Sequence, residues 1–141
     1  MTALKLYPAS VIKEIDRQYS QDYDISSFQL MKLAARRVVE VILTRYSDIK
    51  NAQVFCGSGN NAGDGFLIAA GLADRGWLVQ VVLVGDTEKL SDASREALAV
   101  CQNSQAIVQD FEGSVLAGAV LVDALLGLGI RGDVTSAYRS A

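Results

Sequence analysis

The sequence predicts an α/β fold, Rossmann-like and three-layered, with a mainly parallel sheet preceded by two N-terminal helices. From Ala52 onward, short apolar segments alternate with helical segments at the spacing of βαβ units. These strand-like segments are almost continuously apolar, as in a sheet that is covered on both faces. Glycine-rich stretches at 57–65 and 127–132 each follow the end of a predicted strand. Ligands of such sheets bind outside the carboxyl ends of the strands.

Two helices are predicted before the sheet. The first begins near Ser10, and its apolar face consists of Val11, Ile12, Ile15 and Tyr19. Ser26 and Gln29 have the spacing of a capping box at the start of the second helix. The apolar residues of that second helix are Leu30, Met31, Leu33, Ala34, Val38, Val41 and Ile42. We expect both apolar faces to pack in the core.

The remaining predicted elements alternate between strand and helix. In chain order they are strand 52–56, helix 63–75, strand 79–84, helix 91–102, strand 106–109 and strand 119–124. If the first and fourth strands are neighbours, the two glycine-rich loops face each other across one cleft.

Composition bounds the class of protein. The 141 residues are 50% hydrophobic, without internal repeats, and we expect residues 1–141 to form a single domain. The net charge of −3 and the acidic isoelectric point argue against a nucleic-acid partner. There is no apolar run of membrane-spanning length, so we expect no membrane partner and a cytoplasmic location.

Histidine and cysteine usage narrows the chemistry. The sequence contains no histidine, which excludes Ser-His-Asp triads and histidine metal ligands. Its two cysteines, Cys56 and Cys101, are too few for a zinc cluster, and we expect both to be core residues. Acid–base catalysis would therefore depend on carboxylates, lysine or tyrosine.

The stretch from Phe55 to Gly65 joins a strand to a helix through a glycine-rich turn, a layout typical of phosphate binding. Gly57 and Gly59 allow backbone angles and close approaches that a β-carbon would block. With Ala62 they also match the dinucleotide fingerprint G-x-G-x-x-G/A, and Asp86 follows the next strand, where a ribose-binding acid would stand. A dinucleotide-dependent dehydrogenase, a non-catalytic binding module and a purely steric turn are therefore alternatives.

The second glycine-rich stretch is itself a G-x-G-x-x-G pattern, formed by Gly127, Gly129 and Gly132. Two such loops that converge from neighbouring strands would bind the diphosphate and sugar of a nucleotide between them. Arg131 either adds a positive charge for a phosphate or points to solvent.

A family resemblance covers nearly the whole chain. Residues 60–65, Asn-Asn-Ala-Gly-Asp-Gly, resemble the N-N-x-G-D-G signature of the NAD(P)H-hydrate epimerases, the YjeF N-terminal domain family. Residues 122–132 resemble that family's second motif, in which an aspartate at a strand end precedes a glycine loop. Residues 7–43 resemble its two leading helices. The resemblance implies an isomerase that interconverts the R and S forms of hydrated NADH or NADPH.

The resemblance also implies a set of site residues. Substrate contacts would come from Asn60, Asn61, Ala62, Gly63 and Asp64 in the first motif, and from Gly127, Leu128, Gly129, Ile130, Arg131, Gly132 and Asp133 in the second. The catalytic residue stays open between Asp64 and Asp123. One potassium ion per subunit would be held between Asn61 and Asp123, whose oxygen atoms suit a hard cation. Alternatively, Asp123 caps the turn after its strand.

The expected partners are NADHX or NADPHX, a second copy of the chain, and a dehydratase that is either fused or separate. The resemblance implies a further helix and strand after Asp133, leading into an Asp-x-Pro-Ser-Gly motif. We therefore expect this domain to be incomplete at its C-terminus. Residues 1–141 alone are expected to show little or no epimerase activity.

Overall fold

The computed structural model describes residues 5–128, 133–134 and 136–139, which form an α/β fold. The helices are α1 (Ala9–Asp22), α2 (Ser27–Arg45), α3 (Asn60–Ala73), α4 (Asp92–Gln102) and α5 (Ser136–Arg139). The strands are β1 (Asn51–Cys56), β2 (Leu78–Leu83), β3 (Ile107–Asp110) and β4 (Val120–Ala124). The predicted strands are present, each within one residue of its expected ends.

The strands form one parallel sheet in the order β3-β2-β1-β4. The chain runs outward from β1 through β2 to β3, then returns to the other side of β1 with β4. This reversal leaves a crevice at the carboxyl ends of β1 and β4, which is where open parallel sheets bind ligands. The first and fourth strands are therefore neighbours, which is the condition under which the two glycine-rich loops were expected to share one cleft.

The larger part of the core lies between the sheet and helices α2, α3 and α4. Helix α3 is apolar around most of its circumference, so it is buried between β1 on one side and α2 and α4 on the other. Phe66 and Leu72 on this helix have no exposed surface. The opposite face of the sheet carries a smaller cluster built on Phe55, Val82 and Val84.

Helix α1 does not pack as the sequence predicted. None of its residues is buried: Val11, Ile15 and Tyr19 are 39–49% exposed, and Ile12 is only partly buried. Apolar residues at helical spacing share a face, but the spacing does not say what that face meets. Here the helix turns polar side chains, including Asp16, toward two cavities and leaves its apolar face outward.

Helix α2 begins as predicted but buries a narrower stripe. Ser26 Oγ accepts a hydrogen bond from the Gln29 backbone N–H at 3.2 Å, and Gln29 Oε1 accepts one from the Ser26 N–H at 2.8 Å, which confirms the capping box. The buried residues are Met31, Ala35, Val39 and Ile42. The prediction was wrong for four others that are exposed, Leu33, Ala34, Val38 and Val41, because only one stripe of a helix can contact α3.

One buried polar side chain connects the sheet to the loop that precedes β4. Gln53 on β1 is 2% exposed; its Nε2 donates to Gln80 Oε1 at 2.7 Å, and its Oε1 accepts from the Leu116 N–H at 2.9 Å. The side chain thus satisfies its own polar atoms and fixes the loop that carries the chain into β4.

Gln53→Leu should lower the free energy of unfolding by about 1–3 kcal/mol, because it leaves the partners of the amide without their hydrogen bonds. Urea denaturation measures this loss. Gln102→Leu makes the same chemical change on an exposed side chain at the end of α4 and should have little effect. Equal losses from the two substitutions would show that the Gln53 amide contributes nothing specific.

Candidate functional site

The predicted cleft is a cavity of about 690 Å³ at the carboxyl ends of β1 and β4. The β1–α3 turn forms one wall, and the chain that leaves β4 forms the other. The lining residues are Lys13, Asp16, Ser58, Gly59, Asn60, Asn61, Asp64, Leu125, Leu126, Gly127, Leu128, Asp133, Val134 and Tyr138. Gly127 and Leu128, the described residues of the second glycine-rich stretch, therefore lie across the cavity from the first stretch.

A larger cavity of about 1080 Å³ lies beside the first, between α1, α2 and the start of α4. The two cavities share three lining residues, which are Asp16 from α1 and Asn60 and Asp64 from α3. The N-terminal end of α3 thus stands where the two cavities meet.

The turn between β1 and α3 requires glycine at one of the two predicted positions. A β-carbon on Gly57 would lie 2.1 Å from the carbonyl oxygen of Leu125, since the turn presses against the chain that leaves β4. Gly59 is different, because it has an ordinary φ of −104° and no atom within 4 Å of an added β-carbon. The steric expectation is confirmed for Gly57 and wrong for Gly59, where the space is open.

Helix α3 begins at Asn60, three residues before the predicted start, so both asparagines lie in its first turn. Its N-cap, Gly59, has no side chain that can accept a bond from the first N–H groups. The positive end of the helix dipole therefore faces the cavity, as an anion site needs. Early glycines let the helix pack tightly: a β-carbon on Gly65 would lie 2.6 Å from the Ala124 β-carbon.

The two asparagines connect the turn to different parts of the protein. Asn60 Oδ1 accepts a hydrogen bond from Ser91 Oγ at 2.6 Å, and Ser91 is the N-cap of α4. Asn61 Nδ2 donates to the Leu126 carbonyl at 3.1 Å, which joins the first motif directly to the second. Within the described part of the chain, no other partner occupies Asn60 Nδ2 or Asn61 Oδ1, so both atoms are available to a ligand.

Asp64 is the half-buried carboxyl group of the site. Burial, with a smaller contribution from the negative charge of Asp16, raises the pKa of Asp64 to about 6. Among the described residues, its side chain has no hydrogen-bond or ion-pair partner. Asp64 therefore changes protonation about two pH units closer to neutrality than an ordinary aspartate, which suits a group that transfers protons.

Asp123, the other catalytic candidate, lies at the end of β4 beside Phe55 of β1. Its side chain is exposed and lines neither cavity, and its Oδ1 accepts a hydrogen bond from the Leu125 N–H at 3.0 Å. The structure thus shows the turn-capping role that the sequence left as an alternative. One carboxylate oxygen remains for another ligand.

The other predicted contact residues divide into three groups. Gly127, Leu128 and Asp133 line the 690 Å³ cavity. Ala62 and Gly63 are buried beneath the turn, so only their backbones can approach a ligand. Four predicted contacts lie outside the described residues: Gly129, Ile130, Arg131 and Gly132.

The residues of the alternative interpretations have structural roles. Asp86, the proposed ribose-binding acid of a dehydrogenase, caps a short 3₁₀ turn by accepting the Glu88 N–H at 2.9 Å and lines neither cavity. Cys56 and Cys101 are buried in the core as predicted. Burial raises the pKa of both thiols, that of Cys101 to about 11, so neither is a ready nucleophile.

Several site residues were missed by the sequence reasoning. The Ser58 N–H donates to the hydroxyl of Tyr138 at 3.1 Å, and the two hydroxyl groups are 2.9 Å apart. Ser94 Oγ donates to the Gly59 carbonyl at 3.3 Å. Lys13 and Asp16 enter from α1. Of the residues that contact the turn from other elements, only Ser91 could have been found from the sequence, because a helix was predicted to begin at that position.

The chain is similar to proteins of one family. A family model described as YjeF-related protein N-terminus matches residues 27–141. The chain is 34% identical to the bifunctional NAD(P)H-hydrate repair enzyme Nnr of Coxiella burnetii, over 94% of this chain and 27% of that protein. It is also 34% identical to the NAD(P)H-hydrate epimerase of Rhodobacter capsulatus, over 78% of this chain and 56% of that protein.

A solved structure shares the fold. The crystal structure of yeast ynu0, YNL200c, superimposes with a TM-score of 0.79 at 19% identity, over 96% of this chain and 62% of that one. The chain therefore spans less than two thirds of these three proteins, from about a quarter to somewhat over half of their lengths.

Gly57→Ala should destabilise the protein by about 1–3 kcal/mol, because the new methyl group overlaps the Leu125 carbonyl and one of the two chains must move. Gly59→Ala, two residues away, adds the same methyl group in open space and should change stability by less than about 0.5 kcal/mol. Thermal unfolding of both variants makes the comparison. A larger loss at Gly59 than at Gly57 would contradict the described turn.

Proposed function

The chain belongs to the YjeF-related protein N-terminus family, and on that basis we propose that it is an NAD(P)H-hydrate epimerase domain, which interconverts the R and S forms of NADHX and NADPHX. The observation that carries the proposal is the convergence of two separate motifs on one cavity. The first motif supplies the N-terminal end of α3 and Asp64, and the described part of the second motif, as far as Leu128, lies opposite and is linked to it by the Asn61–Leu126 hydrogen bond.

The substrate presents two kinds of chemistry, and the cavity has a group suited to each. Its diphosphate is anionic, and the uncapped end of α3 offers backbone N–H groups and a positive dipole. The ring carbon to be inverted is a hemiaminal, so inversion requires proton transfer to and from oxygen, whether water is lost and readded or the ring opens and closes. Asp64 is a carboxyl group that is half-buried and titrates near neutral pH.

Of the two catalytic candidates, we assign proton transfer to Asp64. It lines the cavity, whereas Asp123 lies outside both cavity linings and holds the Leu125 N–H. One amide atom of Asn60 and one of Asn61 is held by a hydrogen bond within the protein, and the other amide atom of each would orient the substrate. This leaves Asp123 for a structural and electrostatic role at the strand end.

We also propose one potassium ion per subunit, held by Asn61 and Asp123. The donor atoms fit the ion: Asn61 Oδ1 and one oxygen of Asp123 have no partner in the described part of the chain, and both are hard oxygen ligands. When bound, the cation would neutralise Asp123, whose negative charge otherwise repels the diphosphate.

For partners, the C. burnetii relative is a bifunctional NAD(P)H-hydrate repair enzyme, which supports a dehydratase, fused or separate, that acts on the same hydrate. A homodimer and a cytoplasmic location stay predictions. No helix among the described residues is long and apolar enough to cross a bilayer.

Incubation of the separated R or S hydrate with the protein, followed by chromatography of the two epimers, tests the function. Asp64→Ala should slow interconversion about tenfold or more, because it removes a polar group that acts in a partly buried site. The exposed Glu88→Ala should change the rate less than about twofold. Turnover is assayed on residues 1–141 and on a version extended by the segment that follows in the relatives.

Equal effects of Asp64→Ala and Glu88→Ala would contradict the assignment of Asp64. Binding of the hydrate without interconversion by the extended version would instead identify a non-catalytic binding module.

Calorimetric titration of the hydrate in potassium or sodium chloride tests the cation independently of turnover. Affinity should be higher in potassium, and Asp123→Asn should abolish that preference, because the amide lacks the charge that balances the ion. Asp110→Asn is the matched control, an exposed aspartate at the end of β3. Equal affinity in both salts, with no effect of Asp123→Asn, would remove the cation from the site.

A further inference from the structure

Helix α1 turns polar side chains, not apolar ones, toward the two cavities. Lys13 and Asp16 line the smaller cavity, and Asp16, Arg17 and Ser20 line the larger one. These residues recur at helical spacing, so they form a continuous polar face. The helix makes few contacts with the rest of the fold, and most of its apolar side chains point outward. The polar face of α1 therefore lines the cavities, and the helix contributes no buried side chain to the core.

Asp16 stands on that face where the two cavities meet. It and Asp64 are the two carboxyl groups that line both cavities, and they approach the junction from different helices. The third shared residue, Asn60, lies one turn before Asp64 on α3 and is held by Ser91. The junction is therefore formed by two carboxyl groups and one fixed amide.

The nearby cations of the larger cavity are already paired with other groups. Arg17 donates to both oxygens of Glu14, at 2.6 and 2.9 Å, and Arg37 donates to Glu40 at 2.8 Å. In the part of the chain that the structure describes, neither Asp16 nor Asp64 has an ion-pair partner. The two carboxyl groups thus line the same junction without a neutralising contact among the described residues.

The other titratable groups around the junction come from several elements. In the larger cavity, α4 adds Asp92 and Glu96, which are also acidic. In the smaller cavity the further groups are Lys13, Asp133 and Tyr138. Among the described residues that line the two cavities, the unpaired charges apart from Lys13 are negative, so they favour the neutral form of Asp64.

We propose that Asp16 is a positioning residue for Asp64: its negative charge, at the junction where both residues line the two cavities, favours the protonated form of Asp64, which then supplies the proton for the reaction. A negative charge near a carboxyl group favours its neutral form, and Asp64, which is half-buried, is partly shielded from the solvent that would screen this charge. The raised pKa of Asp64, caused first by burial and then by Asp16, agrees with this arrangement.

The inference rests on the proposed function for its chemical consequence. In the route through loss of water, the Asp64 proton passes to the hydroxyl oxygen while the ring nitrogen lone pair forms a double bond to the carbon. The C–O bond breaks with its electrons on oxygen, which leaves as water. Water then adds to the other face of the cationic ring and returns a proton to the Asp64 carboxylate, so the net change is inversion alone.

Asp16→Asn tests the pair without any assay of turnover. Carboxyl-carbon NMR should show the titration of Asp64, identified by its loss in Asp64→Asn, at a pH lower by roughly half a unit, because a neighbouring negative charge is gone while burial remains. Asp16→Glu keeps the charge and should retain most of the raised value. Asp22→Asn removes a carboxyl group from the end of the same helix and should leave the Asp64 titration unchanged.

An unchanged Asp64 titration in Asp16→Asn would overturn the proposal, whether or not the protein is an epimerase. The same would follow if Asp22→Asn produced an equal shift. Where the protein interconverts the hydrate, the fall of kcat/KM at high pH should move to lower pH with the titration, and a stationary profile would overturn the catalytic part. Absence of interconversion by the extended version would refute the proposed function, whereas the NMR titration would still test the effect of Asp16 on Asp64.

Discussion

The hydrogen-bonded pairing of β1 with β4 is the interaction on which the rest of the site depends. The ladder continues past the strands, since the Gly57 N–H donates to the Ala124 carbonyl at 3.1 Å. This bond draws the β1–α3 turn against the chain that leaves β4, so closely that Gly57 has no room for a β-carbon. Without this pairing, the two glycine-rich motifs would lie on separate edges of the protein.

The position of α3 follows from that close approach. Its early glycines let the helix begin directly at the end of β1 and lie against β4, where Gly65 contacts Ala124 and Cys56. The first turn therefore opens into the cavity, while the next turn enters the core. Asp64 stands at this boundary, and its half-burial is the main reason for its raised pKa. The same packing that shapes the fold thus sets the chemistry of the carboxyl group.

Helix α1 departs from the usual relation between apolar pattern and burial. Its apolar face is exposed and its polar face borders the cavities. Such local conflicts between pattern and placement concentrate at functional sites, where a side chain is selected for what it does to a ligand or a neighbour. Ser91 also combines a structural role with a role at the site, since its hydroxyl group both caps α4 and donates a hydrogen bond to Asn60.

The sequence by itself determined the parallel α/β fold, its strands, the two glycine-rich motifs, the buried cysteines and the capping box of α2. Each of these depends on local spacing, residue type or the length of an apolar run, which the chain displays without its partners. Tertiary structure alone decided that α1 faces inward with Asp16, that Ser94 and Tyr138 reach the turn, and that Asp123 caps the turn after β4. These contacts join residues from separate elements, or depend on which of several available partners lies nearest, so no local pattern encodes them.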